Sequence, residues 1–186
     1  MSFRLMFAIA LLGVCSPLSA QEPSKPNSLS VSEPGLAIAQ LRHVVGGWDV
    51  TTEFLQLDGS VAASFEGTYH FEWVVPDAVV RGVSTIPKLN QTSAILFYVR
   101  PSQNEIEMVA VGKDGQLWTM TGKDTEETRE TPLVSMPDGS SLKLRFTRYN
   151  VTQDGFESQM EASTDGGETW VRGNHQVFVR QEPASN

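Results

Sequence analysis

The sequence predicts an all-β protein, an antiparallel up-and-down barrel of about ten strands preceded by one short helix. Three observations lead there. Asp-Gly pairs recur at Asp58-Gly59, Asp114-Gly115, Asp138-Gly139, Asp154-Gly155 and Asp165-Gly166, each between runs rich in β-branched or aromatic residues. Those runs alternate apolar and polar side chains, the period of a strand with one buried face. Beyond Trp48 no segment reads as a helix long enough to cross between parallel strands.

The chain opens on the plan of a secretory signal at residues 1–20: Arg4, an apolar run from Leu5 to Val14, and small residues through Ala20, after which cleavage is expected. A retained membrane anchor needs about 20 apolar residues, and this run is roughly half that. Lipid attachment at Cys15 is a further reading, although the residue before it is Val14 and not a small one. Export to the periplasm or the extracellular space follows. Cleavage would remove Cys15, the single cysteine, and with it disulfides, thiolate metal sites and thiol nucleophiles. It would also leave 13 basic against 22 acidic residues. An acidic chain with scattered Lys and Arg is a poor match for nucleic acid or anionic membrane surfaces.

Residues 21–33, with Pro23, Pro26 and several Ser, form a leader before the barrel domain at 34–182, and 183–186 are a tail. Ile38, Leu41 and Val45 stand three and four apart on one helical face, and Gly46-Gly47 stop that helix. Asp and Gly tolerate the positive φ of tight hairpins, so the five Asp-Gly pairs imply a meander. Pro76-Asp77 and Pro101-Ser102 mark further reversals, and Pro87 to Gln91 a longer loop. Sequential hairpins favour a barrel over a sandwich, and the lack of a fixed repeat argues against a propeller.

Alternation assigns an inner face. Phe65, Tyr69, Phe71 and Trp73 share one side of their strand. Ile106, Met108 and Ala110 point inward next, then Trp118 and Met120, then Leu142, Leu144 and Phe146, then Phe156, Met160 and Ala162. The last strand, Val171 to Val179, has no clear parity.

Gly46-Gly47-Trp48 opens the first strand after a short helix, and there the chain resembles the lipocalin-type barrels, whose first strand begins Gly-x-Trp. The resemblance implies that Trp48 closes one barrel end beside an arginine from the last strand, a role that falls to Arg180. Val45 to Val50 and Ser163 to Trp170 together resemble an uncharacterised bacterial family of exported, lipocalin-like (calycin-type) domains. That likeness covers Leu36 to Gln181 and implies a barrel with no established activity. Ser163-Thr164-Asp165-Gly166-Gly167-Glu168-Thr169-Trp170 also matches the Asp-box of sialidase propellers. As a single copy it is a braced hairpin, in which Asp165, Gly167 and Trp170 are structural.

A barrel of this size can hold one small apolar ligand, and its candidate lining is Tyr69, Trp73, Met108, Trp118, Met120, Arg148 and Met160. The same side chains can equally fill the interior. Arg148 continues the inward parity of Leu142, Leu144 and Phe146. It either holds a ligand carboxylate inside the mouth or reaches solvent where the strand ends. His43, His70 and His175 do not converge by this reading, so no metal and no cofactor is expected. His175 faces inward if Val177 and Val179 do. Glu105 with Glu107, and Glu157 with Glu161, lie on outward faces as solvated carboxylates. Asp124, Glu126, Glu127 and Glu130 read as a charged strand end or loop that also blocks edge pairing. Few inward polar groups weigh against an enzyme, for which Arg148 and His175 are the candidates. A structural or interaction protein of the envelope is the other alternative.

Overall fold

The computed structural model describes residues 35–182 apart from Pro137; the expected signal with Cys15, the leader at 21–33 and the tail at 183–186 lie outside the described residues. Helix α1 spans Leu36–Val44. Eleven strands follow: β1 (Gly46–Leu55), β2 (Val61–Val75), β3 (Val79–Ile86), β4 (Gln91–Arg100), β5 (Glu105–Gly112), β6 (Leu117–Lys123), β7 (Thr128–Glu130), β8 (Val134–Ser135), β9 (Ser141–Tyr149), β10 (Gly155–Ser163) and β11 (Val171–Arg180).

All pairings are antiparallel. Strands β1 to β7 follow chain order, then β7 pairs β9, β9 pairs β10, β10 pairs β11, and β11 returns to β1 with Trp48 opposite Arg180. Ten strands therefore close the wall and remove its edges. The eleventh, β8, continues the line of β7 along the same flank of β9, with Val134 opposite Leu142. Pro132 falls between the two pieces, where a residue without an N–H cannot join the ladder. Thr131 bridges the break: its N–H donates to the Leu144 carbonyl and its hydroxyl accepts the Leu144 N–H, both at 2.9 Å.

Four Asp-Gly pairs make hairpins by one device. Gly59, Gly115, Gly139 and Gly166 take φ between +76° and +84°, whereas none of their preceding aspartates has positive φ. Asp58 and Asp138 instead use their carboxylates, each accepting from the N–H and hydroxyl of the serine two residues on, at 2.6 to 3.0 Å. These four turns lie at the barrel end away from α1. Asp154-Gly155 departs from the expected pattern: Gly155 opens β10 without positive φ, and the left-handed residue of that turn is Asn150, φ 49°. A Cβ on Gly155 would stand 3.0 Å from the Phe178 carbonyl, so this glycine serves close strand approach.

The inner face follows the alternation, with Phe71, Ile106, Met108, Met120, Phe156 and Phe178 buried. Phe178 also resolves the parity of β11, turning His175 outward. Helix α1 covers one barrel end, but its buried face is Ala37, Gln40, Leu41 and Val44, rotated from the Ile38-Leu41-Val45 stripe that apolar spacing predicts. The reason is Gln40, whose amide has partners inside, so a polar side chain sits where periodicity alone places an apolar one.

Trp48 is fully buried beneath α1. Its indole N–H donates to the Val44 carbonyl at 2.8 Å, and the Arg180 guanidinium lies 4.2 Å over its ring. Arg180 also donates to the carbonyls of His43 (2.7 Å) and Val45 (3.0 Å), tying the helix C-terminus to the last strand. Gly46 takes φ 125°, which L side chains rarely adopt, and a Cβ there would press on Arg180 Nη1 at 3.0 Å.

In the Asp-box, Asp165 accepts from the Ser163 hydroxyl (2.6 Å) and from the Glu168 and Thr169 N–H groups (3.0 Å each). The Trp170 indole donates to the Gly167 carbonyl at 3.0 Å, and Arg145 of β9 stacks 4.1 Å from its ring. The motif thus braces its own hairpin and fastens it to the neighbouring strand.

Candidate ligand cavity

The interior is not filled. A cavity of ≈ 310 Å³ runs along the barrel from beneath α1, where Gln40, Leu41 and Val44 line it, toward the opposite end, where Phe54, Gln91, Ser93 and Asn174 do. Between them the wall is mainly apolar, from Phe71, Ile95, Phe97, Met108, Phe146 and Phe178. That volume lies at the lower bound of sites for small molecules, about 300–1,000 Å³.

Two polar groups interrupt the wall. Midway, the Gln176 amide donates to the Thr52 hydroxyl at 3.0 Å and to the Tyr69 hydroxyl at 3.1 Å, while its carbonyl accepts from Ser158 at 3.3 Å. Burial pushes the Tyr69 phenol above its ordinary pKa, so it stays a neutral donor.

Beneath the helix lies a charged cluster. Arg148 is 5% exposed, and the Glu127 carboxylate grips it at both oxygens, 2.8 and 2.9 Å. Arg148 Nη1 lies 3.2 Å from His43 Nδ1, and His43 Nε2 lies 2.7 Å from the Thr152 carbonyl. An arginine can only donate and a carbonyl only accept, so this imidazole is neutral with its proton on Nε2. Burial holds the His43 pKa below its ordinary value, the cations Arg148 and Arg180 add to that, and the Thr152 hydrogen bond opposes it.

Arg129, 3% exposed, completes the cluster. Its Nη2 donates to the Gln40 side-chain oxygen Oε1, and Gln40 Nε2 in turn donates to the Glu126 backbone carbonyl at 3.0 Å. The guanidinium lies 5.7 and 5.9 Å from the Phe97 and Phe146 ring centres. Its Nε is buried without a partner.

Of the candidate lining residues, Tyr69, Met108, Arg148 and Met160 border the cavity. Trp73, Trp118 and Met120 do not: Met120 packs in the core directly across from Met108 on the neighbouring strand, Trp73 is half-buried against that core, and Trp118 is half-buried opposite Ala110 near the start of β6. Arg148 does not reach solvent, and the carboxylate that it holds belongs to Glu127. Glu127 lies with Asp124 and Glu126 in the loop between β6 and β7, and there it turns to Arg148 instead of standing in solvent. Glu130 likewise pairs with Lys143 at 2.5 Å. The acids of the outer faces are also engaged, Glu105 and Glu107 with Arg100, and Glu161 with Arg145. His175 lies outside the cavity between Glu53 (3.1 Å) and Glu157 (2.8 Å). Arg129 and Gln40 went unread because β7 has three residues, too few to display alternation, and because an inward helical Gln breaks the apolar stripe.

No protein-family model matches the chain, and no curated protein is significantly similar to it in sequence. Among solved structures it is similar to Rv2717c from M. tuberculosis, at 15% identity and a TM-score of 0.53 over 78% of this chain and 98% of that one. A phycobiliprotein lyase from Guillardia theta matches at 10% identity and TM-score 0.49, over 78% of this chain and 92% of that one. A de novo designed fluorescence-activating β-barrel matches at 16% and 0.42, over 76% and 96%. The strand order, the closing pair at Trp48 and Arg180, and the likeness to Rv2717c establish a lipocalin-like β-barrel.

Proposed function

We propose that this chain is an exported binding barrel that takes one small, largely apolar ligand into its interior. The observation that carries the reading is the ≈ 310 Å³ cavity bordered by Phe54, Phe71, Ile95, Phe97, Met108 and Met160, on a wall otherwise closed by hydrogen bonds. Aromatic and Met linings accommodate flat or flexible apolar molecules. Met108, Met160 and Tyr69 are the contacts expected of the ligand, with the Gln176 amide as a polar anchor.

Export rests on the n-region, apolar run and small-residue site at residues 1–20, and a bacterial envelope family is the source that the two quoted motifs support. No helix among the described residues is long and apolar enough to cross a membrane.

The test is a melting-temperature screen of the chain from residue 21 against a panel of small apolar compounds. A ligand at a hundred times its Kd stabilises by about 2.7 kcal/mol, which is readily seen. Ala110→Leu, which fills part of the cavity, is expected to abolish the shifts and leave the unliganded protein folded. A panel without any shift, or shifts that survive Ala110→Leu, would sink this reading.

A further inference from the structure

The charged cluster beneath α1 does not balance. It holds two guanidiniums, Arg129 and Arg148, and one carboxylate that grips a guanidinium, Glu127, while the adjoining His43 is neutral. Glu127 faces Arg148 with both oxygens. Among the described residues no carboxylate lies within 4 Å of Arg129, although the protein as a whole carries a net charge of −8. Among the described residues, Arg129 is therefore a buried cation with no carboxylate in contact with it.

Hydrogen bonding repeats the imbalance. A guanidinium offers five N–H donors. Among the described residues, Arg129 donates only to Gln40, and its Nε is orphaned in a residue that is 3% exposed. The rings of Phe97 and Phe146 soften the desolvation but accept no proton and neutralise no charge. Burial lowers its pKa to about 10, with the Arg148 cation adding and Glu127 opposing, so it remains charged at neutral pH. Such a group is costly in a finished core, and here it borders a cavity. Gln40 pins one edge of the guanidinium and so orients it.

We infer that the cavity's ligand is an apolar molecule bearing one carboxylate, and that Arg129 is the group that receives that anion at the helix-covered end of the barrel. The inference rests on the binding-barrel reading and narrows it to a ligand class. Arg148 is excluded as the receptor because Glu127 already occupies its fork. The hydrocarbon or aromatic part of the ligand then lies along Phe97, Phe146 and Met108 toward the mid-barrel hydroxyls.

Calorimetric titration with matched pairs tests this: octanoate against 1-octanol, and 2-naphthoate against 2-naphthylmethanol. In at least one pair the acid is expected to bind about tenfold tighter or more than its alcohol, the range of a hydrogen bond to a charged group. Arg129→Gln is expected to bring acid and alcohol within about threefold of each other. Arg129→Lys is expected to keep part of the preference, because it keeps the charge and loses the fork. Equal binding of acid and alcohol by the unaltered protein overturns the anion receptor and leaves the apolar cavity standing. So does a preference that survives Arg129→Gln. If neither member of either pair binds, the binding-barrel reading fails and this inference with it. The comparison in the unaltered protein decides the matter even where a variant does not fold.

Discussion

Arg148 and Glu127, 21 residues apart, form a two-pronged ion pair with both contacts below 3 Å, on a strand whose alternation points the arginine into the barrel. The pair joins β9 to the segment leading into β7. That is where the wall is least zipped, because β7 meets β6 in a single register pair, Thr121 opposite Glu130.

Removing the carboxylate strands a buried cation. Glu127→Gln is expected to destabilise the protein by about 3 kcal/mol, at the low end for breaking buried ion pairs because Glu127 is partly open to solvent. The double variant Glu127→Leu with Arg148→Met is expected to recover most of that loss. Urea unfolding measures both, and a single-variant cost under about 1 kcal/mol would show that Arg148 finds other support.

Arg180 supports Trp48 through its face and α1 through two carbonyls. Arg180→Met is expected to cost about 2–3 kcal/mol, from the lost cation–π contact and two charge-assisted hydrogen bonds. Arg180→Lys should recover less than half, since a single ammonium cannot replace the planar fork. Full recovery by lysine in urea unfolding would refute the bidentate role.

The two half-buried histidines are expected to give opposite pH dependences. For His175 burial lowers the pKa, but the carboxylates of Glu53 and Glu157 outweigh it and hold the net value above the ordinary 6.5. Its stabilisation is therefore complete below pH 6.5 and lost as pH rises through the folded-state value. His43, held below 6.5, destabilises the fold as pH falls from 6.5 toward its folded-state value. Melting temperature against pH in His175→Gln should lose the alkaline-side decline, and in His43→Gln the acid-side decline. Unchanged profiles in both would show that other groups govern the titration.

Gly59 sits at φ 83° with open space around its Cα, so a side chain there meets only backbone strain. Gly59→Ala is expected to cost about 1 kcal/mol and Gly59→Asn less than half of that, because Asn tolerates the left-handed region. Equal costs by urea unfolding would mean that the turn changes its geometry to suit either residue.

Much of this molecule follows from local chemistry. Asp-Gly and alternating runs specify hairpins because positive φ and a period of two are properties of a few consecutive residues, and the inward side chains of β2, β5 and β9 could be counted off for the same reason. The Trp48 and Arg180 partnership was legible only through the resemblance of Gly46-Gly47-Trp48 to the lipocalin-type barrels, which implies an arginine from the last strand beside that Trp. Tertiary structure decided the rest. Whether Arg148 met solvent, a ligand or an acid depended on Glu127, brought beside it only when β7 docks on β9. Arg129 gave no signal in a three-residue strand, and its lack of a contacting carboxylate among the described residues is a property of everything packed around it. Hollowness too lies beyond periodicity, since it is the small difference between the volume that ten strands enclose and the volume that their side chains fill.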